Sequence, residues 1–396
     1  MPRSNPGRRT AEPGHAQPAV TVRAPAKVNL HLGVGPLRPD GYHEVTTILQ
    51  AVSLYDEITA TSVPLESVSG PDGSAPVFTD EDPIVVTVGV AGEGAQPAGP
   101  AADGEDDSGV GAPGDTGSRA GAVAGATAAE PSISVVPTGR DNLAVRAAYL
   151  VAEAAGIRGE AIHLTLSKGI PVAAGMAGGS ADAAAALVAC DALWGTELDR
   201  ATLVELASRL GSDVPFPLTG GTALGTGRGE QLTDVLGRGE YHWVFALADG
   251  GLSTPAVYAE FDRLAEGRLQ TGPTPADAVL AALRSGDPEE LGAALVNDLQ
   301  PAALRLRPSL RRVLESGIEL GAIGAIVSGS GPTCAFLARD AAASVSLAAS
   351  LAGMGVARAV RRAQGPVAGA QVSRPSTGPT PPAPPVSPAP SASSPA

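Results

Sequence analysis

Residues 171–189, PVAAGMAGGSADAAAALVA, set Gly175, Gly178 and Gly179 among small side chains ahead of an alanine-rich run. A turn of that composition exposes backbone N–H groups, and a helix beginning behind it adds the positive end of its dipole. The segment therefore predicts an anion site where a phosphate can approach the main chain. Ser180 is placed to cap that helix or to reach a phosphate or its metal ion. A ligand-free strand-to-helix connection would use the same glycines. The run lacks the Gly-Lys-Ser/Thr ending of a Walker loop and the GxGxxG spacing with a later acid, so a phosphate bound here is held by another architecture. Against 25 arginines stand two lysines, each beside an unusual segment: Lys27 shares a strand face with Asn29, and Lys168 comes three residues before Pro171. A compact ammonium suits a crowded phosphate or hydroxyl site better than a guanidinium fork, whereas the bland alternative is two solvated surface lysines. Asp213, in LGSDVPF (210–216), follows a helix end, and Pro215 is expected to push Val214 toward an extended conformation. Taken alone, such an aspartate is a turn former.

Those residues need elements to hold them. TVRAPAKVNLHL (21–32) alternates from Lys27 onward and predicts a strand, and the β-branched stretches 45–60 and 84–90 predict two more. Leu143, Ala147, Leu150 and Ala154 recur at helical spacing behind the candidate cap Asp141. Residues 161–167 alternate again. The glycine-rich turn then leads into a helix to about 193, and a further helix over 199–210 ends at Gly211. Helical patterns at 288–296 and 308–318 precede a strand-like AIVS and a second glycine cluster, GSGP (329–332), which predicts a second α+β unit.

Composition sets the outer limits. Residues 1–19 and the stretch 365–396, with its ten prolines, predict tails, and the polar, glycine-rich stretch from about 91 to 130 predicts a disordered acidic insertion. The net charge of −14 is concentrated in residues 64–130, where twelve acids face Arg119 alone. The remainder is nearly neutral and has no basic patch, which argues against a nucleic-acid partner. Cys190 and Cys334, far apart in apolar runs, read as reduced thiols. No membrane span or signal-peptide core is evident, so a cytoplasmic location is expected. His15, His163 and His242 lack metal-ligand spacing, His31 reads as a structural hydrogen-bonding residue, and no protein metal cage is expected.

In order, APAKVNLHLGVGPLRPDGYHEVTTILQAVSLYDEI (24–58), PVAAGMAGGSADAA (171–184), GSDVPF (211–216) and VSGSGPTC (327–334) resemble the signatures of the GHMP kinases over about residues 20–365. GYHE, the helix opening at Asn142 and NDLQP (297–301) point within that superfamily to the members that phosphorylate 4-diphosphocytidyl-2-C-methyl-D-erythritol in isoprenoid precursor synthesis. The resemblance implies a two-domain α+β fold: an N-terminal domain over 20–235 like domain 2 of ribosomal protein S5, a ferredoxin-like C-terminal domain over 236–364, and an active site in the cleft between them. It implies ATP as phosphoryl donor, with Mg²⁺ carried mainly by the nucleotide phosphates. Asp213 would be the general base and Lys27 its charge stabiliser. Pro171, Val172, Ala173, Ala174, Gly175, Met176, Ala177, Gly178, Gly179, Ser180 and Ala181 would cradle the phosphates, with Asn142 and Lys168 on the nucleotide side. Asn29, Tyr42, His43 and Tyr258 would face the diphosphocytidyl group. Where the family loop carries more glycine and hydroxyl residues, this chain has Ala173, Ala174, Met176, Ala177, Ala181 and Asp182. The alternatives are a GHMP kinase acting on homoserine, a sugar or a mevalonate-type alcohol, and a nucleotide-binding protein without turnover.

Overall fold

The computed structural model describes residues 18–68, 78–79, 82–92, 136–266 and 272–373. The N-terminal tail through Gln17, the expected insertion beyond Gly92 and the proline-rich residues after Ser373 lie outside them, whereas Ala19, expected in the tail, opens the first strand. Alternation around Lys27 produces β1 (Ala19–Leu37), which runs antiparallel to β2 (His43–Ser62). Their register slips between Pro25 and Ala26 and between Asn29 and His31. Such bulges re-aim side chains, and these flank the residues singled out above. β3 (Ile84–Gly92) leads, through the long stretch outside the described residues, to α1 (Leu143–Ala155), and the chain returns along β4 (Glu160–Lys168), parallel to β3.

The cap of α1 is Asn142, whose Oδ1 accepts the Ala144 N–H at 2.8 Å, so the expected cap at Asp141 is off by one residue. Its buried face is also rotated from the expected one. Ala144, Ala147, Ala148 and Val151 are fully or almost fully buried, because small side chains let α1 pack closely on α2 (Gly178–Trp194). α2 is apolar on nearly every side, as a helix through a core should be. α3 (Arg200–Leu210), capped by Asp199, then leads to α4 (Pro215–Thr219), and β5 (Thr222–Thr226) and β6 (Gln231–Asp234) extend the sheet from β2.

The second half follows as β7 (Tyr241–Leu247), α5 (Thr254–Ala265), α6 (Asp277–Ser285), α7 (Pro288–Ala294), β8 (Val296–Asn297), α8 (Gln300–Leu306) and α9 (Ser309–Glu319). It closes with β9 (Gly324–Val327), β10 (Cys334–Ala338), α10 (Ala341–Met354), β11 (Ala359–Gly365) and β12 (Gln371–Val372). The order β11-β7-β10-β9, antiparallel throughout, with helices filling the connections after β7 and β10, is a ferredoxin-like arrangement. Two short strands cross back to the first sheet. β8 pairs parallel with β1 (His31 opposite Val296), and β12 pairs antiparallel with it (Val22 opposite Val372).

That return corrects the expectation of a tail from 365. The backbone of Val367 bonds to Ala51 and Gly221, and residues as far as Ser373 have defined places. Their order comes from main-chain pairing with distant residues, which a glycine- and proline-rich sequence does not announce. The two halves also share buried polar contacts, among them Trp243 Nε1 donating to Gln50 Oε1 at 3.1 Å.

Candidate active site

The glycine-rich loop winds tightly at three points: Ala173 (φ 54°), Gly175 (φ 71°) and Ala177 (φ 59°) are all left-handed. For the two alanines this conformation is strained, and it persists because surrounding contacts fix it. Gly175 has no alternative, since a Cβ there would lie 2.5 Å from the Ser328 carbonyl oxygen. α2 begins at Gly178, three residues earlier than a capping Ser180 would require, and no side chain caps it. The N–H groups of Gly178, Gly179 and Ser180 therefore sit in the first turn, where a helix has no carbonyl for them. Ala181 differs from its expected role: its N–H closes on the Ala177 carbonyl at 2.9 Å and its side chain is buried in the core.

One cavity of about 400 Å³ gathers the nucleotide-side candidates. Residues 171–179 form one wall, and Asn142, Leu143, Val136 and Pro137 face them, with Lys168 and Asp182 beside the loop. The side chain of Asn142 is already committed, since Nδ2 donates to the Pro137 carbonyl and Oδ1 caps α1. Lys168 is committed too. Its buried ammonium donates to Asp56 Oδ2 and, at 2.6 Å, to Asp182 Oδ2, while Asp56 Oδ1 accepts the N–H groups of Gly169 and Ile170 at 2.8 Å each. This cluster ties the end of β4 to the first turns of α2 and to β2.

Two carboxylates around one ammonium leave one negative charge in excess. Asp56 has three donors, whereas Asp182 has one, and Asp182 Oδ1 is buried without a partner. The spare proton belongs on Asp182, whose carboxyl is pushed up to about 7, first by burial; Lys168 pulls it down and Asp56 pushes it further up. Burial alone would depress Lys168, but together the two carboxylates outweigh it and hold its ammonium above the ordinary lysine value. Asp56 and Asp182 were not among the expected site residues; the signal for Asp182 was an acid in the alanine-rich start of α2.

On the other side of the loop, Lys27 is anchored by its own N–H to the Met176 carbonyl at 3.2 Å, and its buried Nζ donates to Asn29 Oδ1 at 2.6 Å. Asn29 Nδ2 donates to Thr47 Oγ1, which donates in turn to the His31 carbonyl, so the amide of Asn29 is turned with its oxygen toward Lys27. Burial lowers the Lys27 pKa, and the nearby Asp213 carboxylate partly restores it. Asp213 stands exposed on the turn before α4, and Val214 is helical (φ −69°, ψ −36°) rather than extended, because it leads directly into α4. His31 has the structural role expected of it, with Nε2 2.9 Å from the Thr274 carbonyl oxygen.

The second glycine cluster closes over this group. A Cβ on Gly329 (φ 58°) would meet Lys27 Nζ at 3.2 Å and Asn29 Oδ1 at 3.4 Å. Ser328 Oγ donates to the Gly175 carbonyl at 3.2 Å, joining the two glycine turns. Asn297, in the NDLQP segment, holds the cluster in shape: Nδ2 donates to the carbonyls of Val327 and Gly329 at 2.8 Å each, and Oδ1 accepts the Leu299 N–H.

Tyr258 and His43 also come together, with ring centroids 5.1 Å apart, and Phe261 meets His43 edge-on. The Tyr258 hydroxyl is pushed up to about 12, first by burial and then by the Asp213 carboxylate. Tyr42 stands apart at the rim. Its ring is half exposed, and the Arg228 guanidinium lies 3.9 Å above it while also reaching Asp40 at 3.3 Å.

Among the described residues no three His, Cys, Asp or Glu side chains gather as a metal cage, and no helix is long and apolar enough to cross a membrane. A Mg²⁺ carried on nucleotide phosphates needs few protein ligands, and Ser180 Oγ, in the first turn of α2, has the hard-donor chemistry it takes.

Two family models match the chain: GHMP kinases N terminal domain over residues 142–221 and GHMP kinases C terminal over 279–355. A protein of Nocardia farcinica named 4-diphosphocytidyl-2-C-methyl-D-erythritol kinase is 48% identical over 358 residues, covering 90% of this chain and 97% of its own. One of the same name from Thermobifida fusca is 48% identical over 362 residues, covering 90% and 99%. A crystal structure of 4-(cytidine 5'-diphospho)-2C-methyl-D-erythritol kinase superposes with a TM-score of 0.60 at 30% identity, covering 87% of this chain and 98% of that one. The homoserine kinase of Cytophaga hutchinsonii, at 16% identity and a TM-score of 0.60, shares the fold.

Proposed function

Because the chain belongs to the GHMP kinases, and among them to the 4-diphosphocytidyl-2-C-methyl-D-erythritol kinase family, we propose that it moves the γ-phosphoryl group of ATP to the C2 hydroxyl of that alcohol. The observation that carries this reading is the stitching of the two glycine turns: through Ser328, Gly175 and Gly329, a nucleotide-sized cavity is joined to the Lys27–Asn29 pair. Phosphoryl transfer asks mainly for alignment and charge neutralisation, and this junction puts donor and acceptor sides in contact.

In the proposed step the C2 oxygen bonds to the γ-phosphorus as the bond to the β-phosphate oxygen breaks, and ADP leaves. Asp213 takes the hydroxyl proton. Lys27, turned by Asn29, holds positive charge against the alkoxide oxygen as it forms. The N–H groups of 178–180 hold phosphate oxygens against the start of α2. Mg²⁺, when bound on the phosphates, neutralises their charge. Lys168 acts here as the anchor of the loop, through Asp56 and Asp182, and Asn142 as the brace of the opposite wall.

His43, Tyr258 and Tyr42 are proposed to receive the cytosine base, His43 and Tyr258 as a paired ring surface and Tyr42 from the rim. Buried free thiols at Cys190 and Cys334 suit the cytoplasm, where we place the activity. The test is turnover of ATP with Mg²⁺ against a panel of alcohols including homoserine, mevalonate and the diphosphocytidyl substrate. Phosphorus NMR should show a new ester at C2 of the last; transfer to another panel member, or none at all, defeats the assignment.

A further inference from the structure

His43 Nδ1 lies 2.9 Å from the Gly35 carbonyl oxygen, which can only accept, so the proton of a singly protonated ring is on Nδ1. Its Nε2 then presents a lone pair, and 3.4 Å away is Oδ2 of Asp262 on α5. Two acceptors face the same small space. Arg263, the residue after Asp262, is turned to Glu260 at 2.7 Å, and Arg305 reaches the same Glu260 at 2.9 Å, so the arginines of this surface serve another carboxylate. His43 is buried against Tyr258 and Phe261, whereas the Asp262 side chain is 43% exposed and opens the pair to a ligand.

We propose that Asp262 is a specificity-determining residue, its carboxylate and His43 Nε2 together forming a two-acceptor receptor for the exocyclic amine of a cytosine base. This rests on the base-reading role given above to His43. An amine has two N–H groups, one for each acceptor. A carbonyl in its place, as in uracil, brings a third acceptor and leaves all three unpaired. Tyr258 links the receptor to the reacting end of the substrate, because its ring stacks on His43 and its hydroxyl feels Asp213.

The experiment measures kcat/KM for the cytidine substrate and its uridine analogue, and calorimetric binding of CDP and UDP, in the wild type, Asp262→Asn and Asp262→Ala. Wild type should favour cytidine. In both variants the cytidine-to-uridine ratio should fall, by roughly 10- to 100-fold, the range for hydrogen bonds to a charged group. Asp262→Asn should in addition gain on the uridine side, because its amide can donate to the uracil oxygen. If both substrates weaken equally and the ratio stands, Asp262 only steadies His43 and the inference is overturned. If the wild type itself treats CDP and UDP alike, the base-reading role of His43 falls first and this inference falls with it.

Discussion

Removing the ammonium at the centre of the buried cluster tests the account of the phosphate loop. In Lys168→Met, Asp56 and Asp182 lose the cation that both contact, and breaking one partner out of a buried ion pair costs about 3–5 kcal/mol. The low end applies. Asp56 keeps its two backbone donors, and Asp182 can escape its charge by taking a proton. About 3 kcal/mol in a domain of this size corresponds to a fall in Tm of roughly 6 °C. The pH dependence has a definite sign. Asp182 already titrates near 7 in the folded protein, above its unfolded value of 3.8, so the folded state binds that proton more tightly and this group's contribution to stability declines as pH rises from about 4 to about 7. Without Lys168 nothing favours the ionised form, so the deficit of the variant should be largest near pH 8 and shrink toward pH 5. Urea midpoints at three pH values, with the KM for ATP measured alongside, decide it. A loss below about 1 kcal/mol at pH 8, equal losses at both ends, or an unchanged KM for ATP would refute the anchoring role.

Asp213→Asn should lower kcat by roughly 10²-fold or more while nucleotide affinity, measured by calorimetry, changes little. Since burial lowers the Lys27 pKa, the alkaline limb of the kcat/KM profile should begin below the usual lysine range, and Lys27→Arg, which stays charged, should remove that limb even where it slows the enzyme. Asn297→Ala strips three buried hydrogen bonds from the second glycine cluster and should cost about 2–4 kcal/mol in denaturation; kcat should fall as well, because Gly329 lies near the Lys27 ammonium.

Period and punctuation made most of the elements legible: β1, β4, α3 and the strand–turn–helix around Gly175 all stand where the sequence reading puts them. The scarcity of lysine singled out two positions that the structure buries, but not what they contact. Lys168 reads as a phosphate ligand until Asp56, more than a hundred residues away, is seen beneath it. Asn29 likewise suggests a base reader until its oxygen is found on Lys27. Ser180 does not cap α2, because a cap residue precedes the first turn, whose N–H groups it would satisfy, and Ser180 lies inside that turn. Here Ala177 takes the cap position and leaves those N–H groups open, which is what an anion site requires. The stretch 365–373 was read as tail because its order depends on pairing with β1 and on the backbone near Ala51, neither of which leaves a periodic trace.

The two short strands that return to β1 also have a mechanical consequence. A two-lobed enzyme joined by a single connection can swing open like a book. This chain is laced instead: β8 crosses back to the first sheet beside His31, and β12 does so again beside Val22. Any wide rotation of the lobes would have to tear main-chain ladders at both lacings and pull Trp243 from Gln50. The lacing therefore opposes a wide opening of the gap between the lobes. The working part of the machine resembles a riveted frame with a slot.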